Sequence, residues 1–322
     1  VSLPSADLLL LLLPLSNLLS LDRLAGSWLL LSLLGASAMA VTGIIDKLVL
    51  SKYVTDPLAY LAALVAMQQA VIMIIPACFG WGYIYPYSLF ALAAGGVQVV
   101  LWAAYLLALQ KEETSRVAAM VYVFPVFVFL GAYLLLGETL SLRHYAGGAL
   151  LVASAFFVSY RPEQGGTPAG LSPALKYMAV FWIFTAVYAL AAKLLLAFMS
   201  EWHLMLWSSL GSMLAVLPIL AKSSLRREAL AYLRGGPRLL SAMLADELFD
   251  LLGRGAFIFA YAAGSVALVS SVSALQPFIT LLYVAALGLA FPGILVEELD
   301  KRTLALKGLA IIMIVAGVYL VS

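Results

Sequence analysis

The sequence predicts an all-α integral membrane protein of about ten transmembrane helices, and three observations carry that prediction. Hydrophobic residues make up 65% of the 322 positions and charged residues 11%, whereas a soluble domain is near half apolar and a quarter charged. Mean hydropathy is +1.07. The apolar residues also fall in runs of roughly 20, the length that crosses the hydrocarbon of a bilayer. One soluble core could not take up this much apolar surface, so lipid must.

The runs lie at about 28–48, 57–78, 88–109, 115–136, 142–160, 177–199, 203–221, 241–262, 266–290 and 304–321. Connections are short. The two longest are 161–176, a polar Gly/Pro linker that divides the chain into halves, and 222–240, whose basic character fits a short helix at the membrane surface. Residues 1–27 are an apolar segment left unassigned. Leu8–Leu21 is only about 14 residues long, contains Pro14 and follows Asp7. That pattern fits neither a span nor a signal peptide.

The halves 28–160 and 177–322 can be laid over each other. At an offset of 146, Ala40-Val41 meets Ala186-Val187 and Lys47-Leu48 meets Lys193-Leu194. At an offset of 152, Pro125 meets Pro277, and further on Gly148 meets Gly308. Five spans is an odd number, so a second copy enters the membrane from the opposite side. Inverted repeats are a transporter architecture, with the solute site at the repeat interface near the midplane.

Ionisable residues inside spans are costly and mark candidate sites. Span eight carries Asp246, Glu247, Asp250 and Arg254. Spacings of four put Asp246, Asp250 and Arg254 on one helical face, continued by Phe257 and Tyr261. Asp250 and Arg254 are expected to pair, either as a structural ion pair within the membrane or as the groups that bind the charged ends of a solute. Asp250, Glu247 and Asp246 are candidates to carry a coupling proton, with Asp246 and Glu247 expected nearer the interface. The counterparts of Asp250 and Arg254 in span three are Gln98 and Trp102, and both join the candidate solute-binding set with Tyr105. Gln68 and Gln69, midway through span two, serve either as helix glue or as solute contacts. Trp182, Tyr188 and Trp207 fit a cavity wall, a lipid face or an interface anchor. Lys47 and Lys193 are expected to snorkel to the interface. Pro125 and Pro277 each free a backbone carbonyl and are candidate kinks.

Other chemistries find little support. Cys78 is the single cysteine, and His144 and His203 have no ligand spacing around them, so no metal and no cofactor is expected. There is no Ser-His-Asp set and no Gly-rich phosphate loop, which points to ion-gradient or passive transport rather than ATP. A net charge of +2 gives no reason to expect nucleic acid. Lysine and arginine concentrate in loops one-two, three-four, five-six, seven-eight and nine-ten, which the positive-inside rule places in the cytoplasm.

Leu109-Gln110-Lys111-Glu112-Glu113-Thr114-Ser115-Arg116-Val117-Ala118, followed by Pro125, Leu136-Gly137-Glu138 and Gly147-Gly148, resembles the third-to-fifth-span signature of the EamA family. That family belongs to the drug/metabolite transporter (DMT) superfamily. Gly43, Asp46-Lys47 and Asp56-Pro57 resemble its first-to-second-span junction, and the stretch 264–271 resembles the same element in the second half. The resemblance covers roughly 28–321 and departs at Pro292–Lys301, where Glu297 and Glu298 stand in an insertion. It implies an EamA/DMT-like fold of two inverted five-helix repeats. It also implies a secondary transporter, here expected to export small organic metabolites by alternating access. The expected setting is a prokaryotic plasma (inner) membrane, as monomer or homodimer, and the family implies cytoplasmic termini, opposite to the positive-inside reading. The expected partners are a small-molecule solute, membrane lipid and a coupling proton. The span-eight ion pair suggests an amphipathic or zwitterionic solute such as an amino acid. The alternative is an intramembrane enzyme or lipid-handling protein using the span-eight acids.

Overall fold

In lipid a backbone can satisfy its polar groups only within a helix or a closed barrel, and helices make up most of the described residues of this chain. The computed structural model describes residues 27–112, 117, 120–121, 123–137, 141–161, 170–290 and 301–321. The expectations placed on 1–26, on Glu113–Arg116, on Glu138, on 162–169 of the linker, and on Glu297 and Glu298 lie outside the described residues.

The helices run in order as α1 (Trp28–Lys52), α2 (Pro57–Ile72), α3 (Ile74–Phe79), α4 (Tyr87–Lys111), α5 (Phe124–Leu136), α6 (Leu142–Ser159) and α7 (Leu175–Leu195). They continue as α8 (Glu201–Ala221), α9 (Ser223–Leu233), α10 (Pro237–Ala263), α11 (Val266–Ser273), α12 (Gln276–Ala290) and α13 (Lys301–Val321). Between α6 and α7 the strands β1 (Tyr160–Arg161) and β2 (Gly170–Leu171) pair antiparallel at the two ends of the linker. The ten apolar runs fall in turn on α1, α2–α3, α4, α5, α6, α7, α8, α10, α11–α12 and α13.

Among the described residues, six stretches are long and apolar enough to cross a membrane: Trp28–Lys52, Pro57–Phe79, Tyr87–Lys111, Leu175–Leu195, Glu201–Ala221 and Val266–Val284. The chain is therefore a multi-pass membrane protein by helix composition. With its 27 residues α10 has the length, but it is interrupted by charge.

Helix starts follow capping chemistry. Ser27 Oγ accepts from Leu30 N at 3.3 Å. Asp56 accepts from Leu58 N at 2.8 Å and Ala59 N at 3.3 Å, with Pro57 opening α2. Each such cap contributes about 1 kcal/mol.

Packing interleaves elements from either side of the linker. α1 packs most extensively on α10, α7 and α8 on α4, and α13 on α6. Glycines permit the closest crossing. A Cβ on Gly95 would stand 1.9 Å from Ser208 O, and one on Gly211 would stand 2.0 Å from Leu92 O, so α4 and α8 touch through their backbones.

The basic stretch forms α9, an 11-residue helix burying Leu225, Ala229 and Tyr232. It clasps the turn between α1 and α2. Glu228 accepts from the Thr55 hydroxyl and from Asp56 N at 3.1 Å, and the Tyr232 hydroxyl also donates to it. The Thr55 bond first, then the Tyr232 bond, hold the Glu228 carboxyl below the usual carboxylate range. Burial, then the Glu228 carboxylate, push the Tyr232 hydroxyl up.

Candidate functional site

A cavity of about 170 Å³ lies where α1, α2, α4, α5, α7, α10 and the α11–α12 junction converge. Helical spacing explains its wall. From α1 come Met39, Thr42 and Asp46, and from α4 come Gln98, Trp102 and Tyr105. From α10 come Asp246, Glu247, Asp250, Arg254, Phe257 and Tyr261. Steps of three and four residues keep each set on one face.

The expected pair forms. Arg254 Nε donates to Asp250 Oδ2 at 2.6 Å, and the guanidinium lies 4.7 Å from the centroid of the Trp102 ring. Both residues are 9% exposed. A cation over an indole face is attracted by the ring quadrupole, so Trp102 of α4 helps hold the charge of α10. The six solute-binding candidates, Asp250, Arg254, Gln98, Trp102, Gln68 and Tyr105, all line this one cavity.

Two positions differ from the sequence expectation. Asp246 and Glu247, expected nearer the interface, are buried at 2% and 4% exposed and line the same cavity. The reason is that α10 extends well before both residues, from Pro237, so they lie within the helix rather than at its start. Glu247 Oε2 accepts from Gln68 Nε2 at 3.2 Å. The two glutamines divide the roles open to them. Gln68 faces the cavity, while Gln69 Nε2 donates to Ser209 O at 3.2 Å and ties α2 to α8.

Both lysines bind carbonyls at helix ends. Lys47 Nζ donates to Leu109 O at 2.7 Å and Glu112 O at 2.6 Å, at the C-terminal end of α4. Lys193 Nζ donates to Tyr261 O at 2.7 Å and Gly264 O at 2.8 Å, at the C-terminal end of α10. The last carbonyls of a helix lack intrahelical partners and carry partial negative charge, which a nearby ammonium satisfies.

The two prolines sit at helix restarts rather than at bends. α5 begins at Phe124 after a turn at Val123, with Pro125 in its first turn. Ala274 and Leu275 form a turn between α11 and α12, and Pro277 is the second residue of α12. Irregular backbone at membrane depth is tolerated where it lines a cavity or finds partners. Val121, Phe124, Ser273 and Gln276, which flank the two breaks, all line the cavity. Trp182 Nε1 donates to Met120 O at 2.6 Å, which assigns that tryptophan to a broken helix rather than to lipid. Trp207 lies apart from the cavity, donating to Trp81 O at 3.1 Å, while Tyr188 lines it.

Asp46 is the residue that sequence reasoning missed as a site candidate. It is 4% exposed and lines the cavity beside the α10 acids. Its signal was available, since an aspartate inside an apolar run is itself a site marker. Gly43, one turn earlier, leaves room for the neighbouring ring: a Cβ there would stand 2.7 Å from Tyr105 Oη. Among the described residues no group of three His, Cys, Asp or Glu side chains could hold a metal ion.

Residues 26–160 match the EamA-like transporter family. A solved structure described only as "Crystal structure of protein" is similar to this chain with a TM-score of 0.62 at 17% identity. The match covers 91% of this chain and 96% of that one, and it speaks to the fold alone. No curated protein matches the sequence. The matched family is one of transporters and not of enzymes.

Proposed function

We propose that this chain, whose residues 26–160 are an EamA-like transporter family domain, is a secondary transporter that exports a small amphipathic or zwitterionic organic solute across the cell membrane. The observation that carries the reading is the cavity itself. Charged side chains from α1 and α10, aromatic side chains from α4, and two helix breaks converge on it. Discontinuous helices around a central site are a feature of alternating-access transporters.

The same reading takes residues 28–160 and 177–322 as two inverted five-helix repeats joined at 161–176, with ten crossings in all. Three correspondences support it. The lysine contacts relate Lys47, Leu109 and Glu112 to Lys193, Tyr261 and Gly264. Each of the two prolines follows a helix break. The cavity residues Gln98, Trp102 and Tyr105 correspond to Asp250, Arg254 and Phe257. Asp250, Glu247 and Asp246 are the proposed carriers of a coupling proton, since a buried carboxyl can exchange charge for neutrality as the cavity changes its exposure.

The test is solute counterflow with purified protein in liposomes, screened over small organic metabolites. Counterflow of at least one solute is expected, with Asp250→Asn losing it while still inserting and folding. Normal transport by that variant would remove Asp250 from the site.

A further inference from the structure

We infer that the solute of this cavity is an organic cation, an amine on an aromatic or apolar body whose far end carries a neutral hydrogen-bond acceptor. This deepens the transport reading above and rests on it. Among the described lining residues, Asp46, Asp246, Glu247 and Asp250 face a single basic side chain, Arg254. That arginine is already engaged by Asp250 at 2.6 Å and stacked on Trp102. Glu247 is held by the Gln68 amide.

Asp46 Oδ1, Asp246 Oδ1 and Gln68 Oε1 have no hydrogen-bond partner among the described residues. Their residues are 4%, 2% and 1% exposed. A buried acceptor without a donor is costly, and a buried carboxylate more so. The Tyr60 hydroxyl stands beside Asp46 as a neutral donor, so what this side of the cavity lacks is positive charge, which an ammonium group supplies together with its N–H donors.

A metal ion does not fit the need. The acids are spread along the wall, and among the described residues no three of them could hold one. An extended cation does fit, because Trp102, Tyr105, Phe181, Phe257 and Tyr261 give it aromatic faces.

The far end follows from the remaining groups. Arg254 Nη2 and the hydroxyls of Thr185 and Tyr188 also lack partners among the described residues, and all three can donate. They suit a phenol, ether or carbonyl oxygen. A carboxylate there would meet one guanidinium already bound to Asp250, in a cavity with three further acids. A zwitterion would leave the excess of acid over base where it started, and an anion would enlarge it.

The experiment is calorimetric binding to the purified full chain in lipid nanodiscs, using three probes that share one phenol. Tyramine is the cation, tyrosine the zwitterion and 3-(4-hydroxyphenyl)propionate the anion. Tyramine is expected to bind at least tenfold more tightly than tyrosine, and the propionate not to bind. Asp46→Asn and Asp246→Asn, which keep side-chain shape, are each expected to weaken tyramine at least tenfold. Binding of tyrosine or the propionate as tight as that of tyramine overturns the inference, as does binding of none of the three or unchanged tyramine affinity in both variants. A readout that needs no variant is protection of Asp46 and Asp246 from a hydrophobic carbodiimide, mapped by mass spectrometry. Tyramine should slow that labelling, and equal labelling with and without it overturns the inference. Counterflow of another solute without tyramine binding leaves transport standing and removes the cation. Tyramine binding with no solute moved does the reverse.

Discussion

In α4 the polar and aromatic side chains lining the cavity are Gln98, Trp102 and Tyr105; in α10 the side chains at matching spacing are Asp250, Arg254 and Phe257. Both helices end in carbonyls held by a lysine from another helix, Lys47 for α4 and Lys193 for α10. The frame is shared and the chemistry is not. α4 contributes a neutral amide and aromatic faces, while α10 contributes an ion pair that α4 helps to hold through Trp102. What this teaches is that the cost of burying charge is concentrated on one helix, and its opposite number supplies the surface that makes the burial tolerable.

The largest expected effect tests that division. Arg254→Leu alone strands Asp250 and should cost about 3–5 kcal/mol of stability, because one partner of a buried pair is left uncompensated. Replacing both residues with leucine should restore most of that stability, yet transport should fall by on the order of 100-fold, as expected when charged contacts worth roughly 2–5 kcal/mol are lost. Thermal unfolding in detergent and counterflow in liposomes read the two quantities separately. Full activity in the double variant makes the pair structural and ends the contrast between α4 and α10.

Next in size is the packing that places α4. Gly95→Ala puts a Cβ 1.9 Å from Ser208 O and should cost about 1–3 kcal/mol or more by forcing α4 and α8 apart. At Gly96 the nearest atom would be Ala215 Cβ at 3.9 Å, so Gly96→Ala should stay within about 0.5 kcal/mol. Equal effects at the two positions would mean the helices are not in backbone contact.

The lysine contacts sharpen the comparison from the other side. Lys47→Met and Lys193→Met should each cost about 1–2 kcal/mol by leaving buried carbonyls unpaired. The two losses should be similar. If one substitution is silent, the shared frame is not shared at its ends.

The smallest effect lies outside the cavity, in the clasp of α9 on the α1–α2 turn. The Glu228 carboxyl is held below its ordinary value of 4.5. Its contribution to stability is thus present above that value and is lost as pH falls through its own lower one. The group is near the surface, so the change should be under about 1 kcal/mol. Glu228→Gln should flatten this acid limb of a stability-against-pH curve and leave the cavity-dependent measurements unmoved.

Residue order alone points to the helices and to much of the cavity wall. Run length and spacing are local properties, so the apolar runs, the α10 stripe of Asp250 and Arg254, and the facing set Gln98, Trp102 and Tyr105 could all be read from residue order. Asp46 carries the same kind of signal, but it stands beside Lys47 near the end of its run, where membrane edge and protein interior look alike in one dimension. Its burial in the cavity wall appears only once the helices are packed. Packing also decided that Lys47 and Lys193 reach the ends of α4 and α10, that Asp246 and Glu247 turn into the cavity, and that the helix breaks before Pro125 and Pro277 open onto it. The physical reason is the same in each case. A helix of apolar residues in lipid has no preferred face until another helix supplies a partner for its few polar groups, and partners far apart in sequence are set by packing.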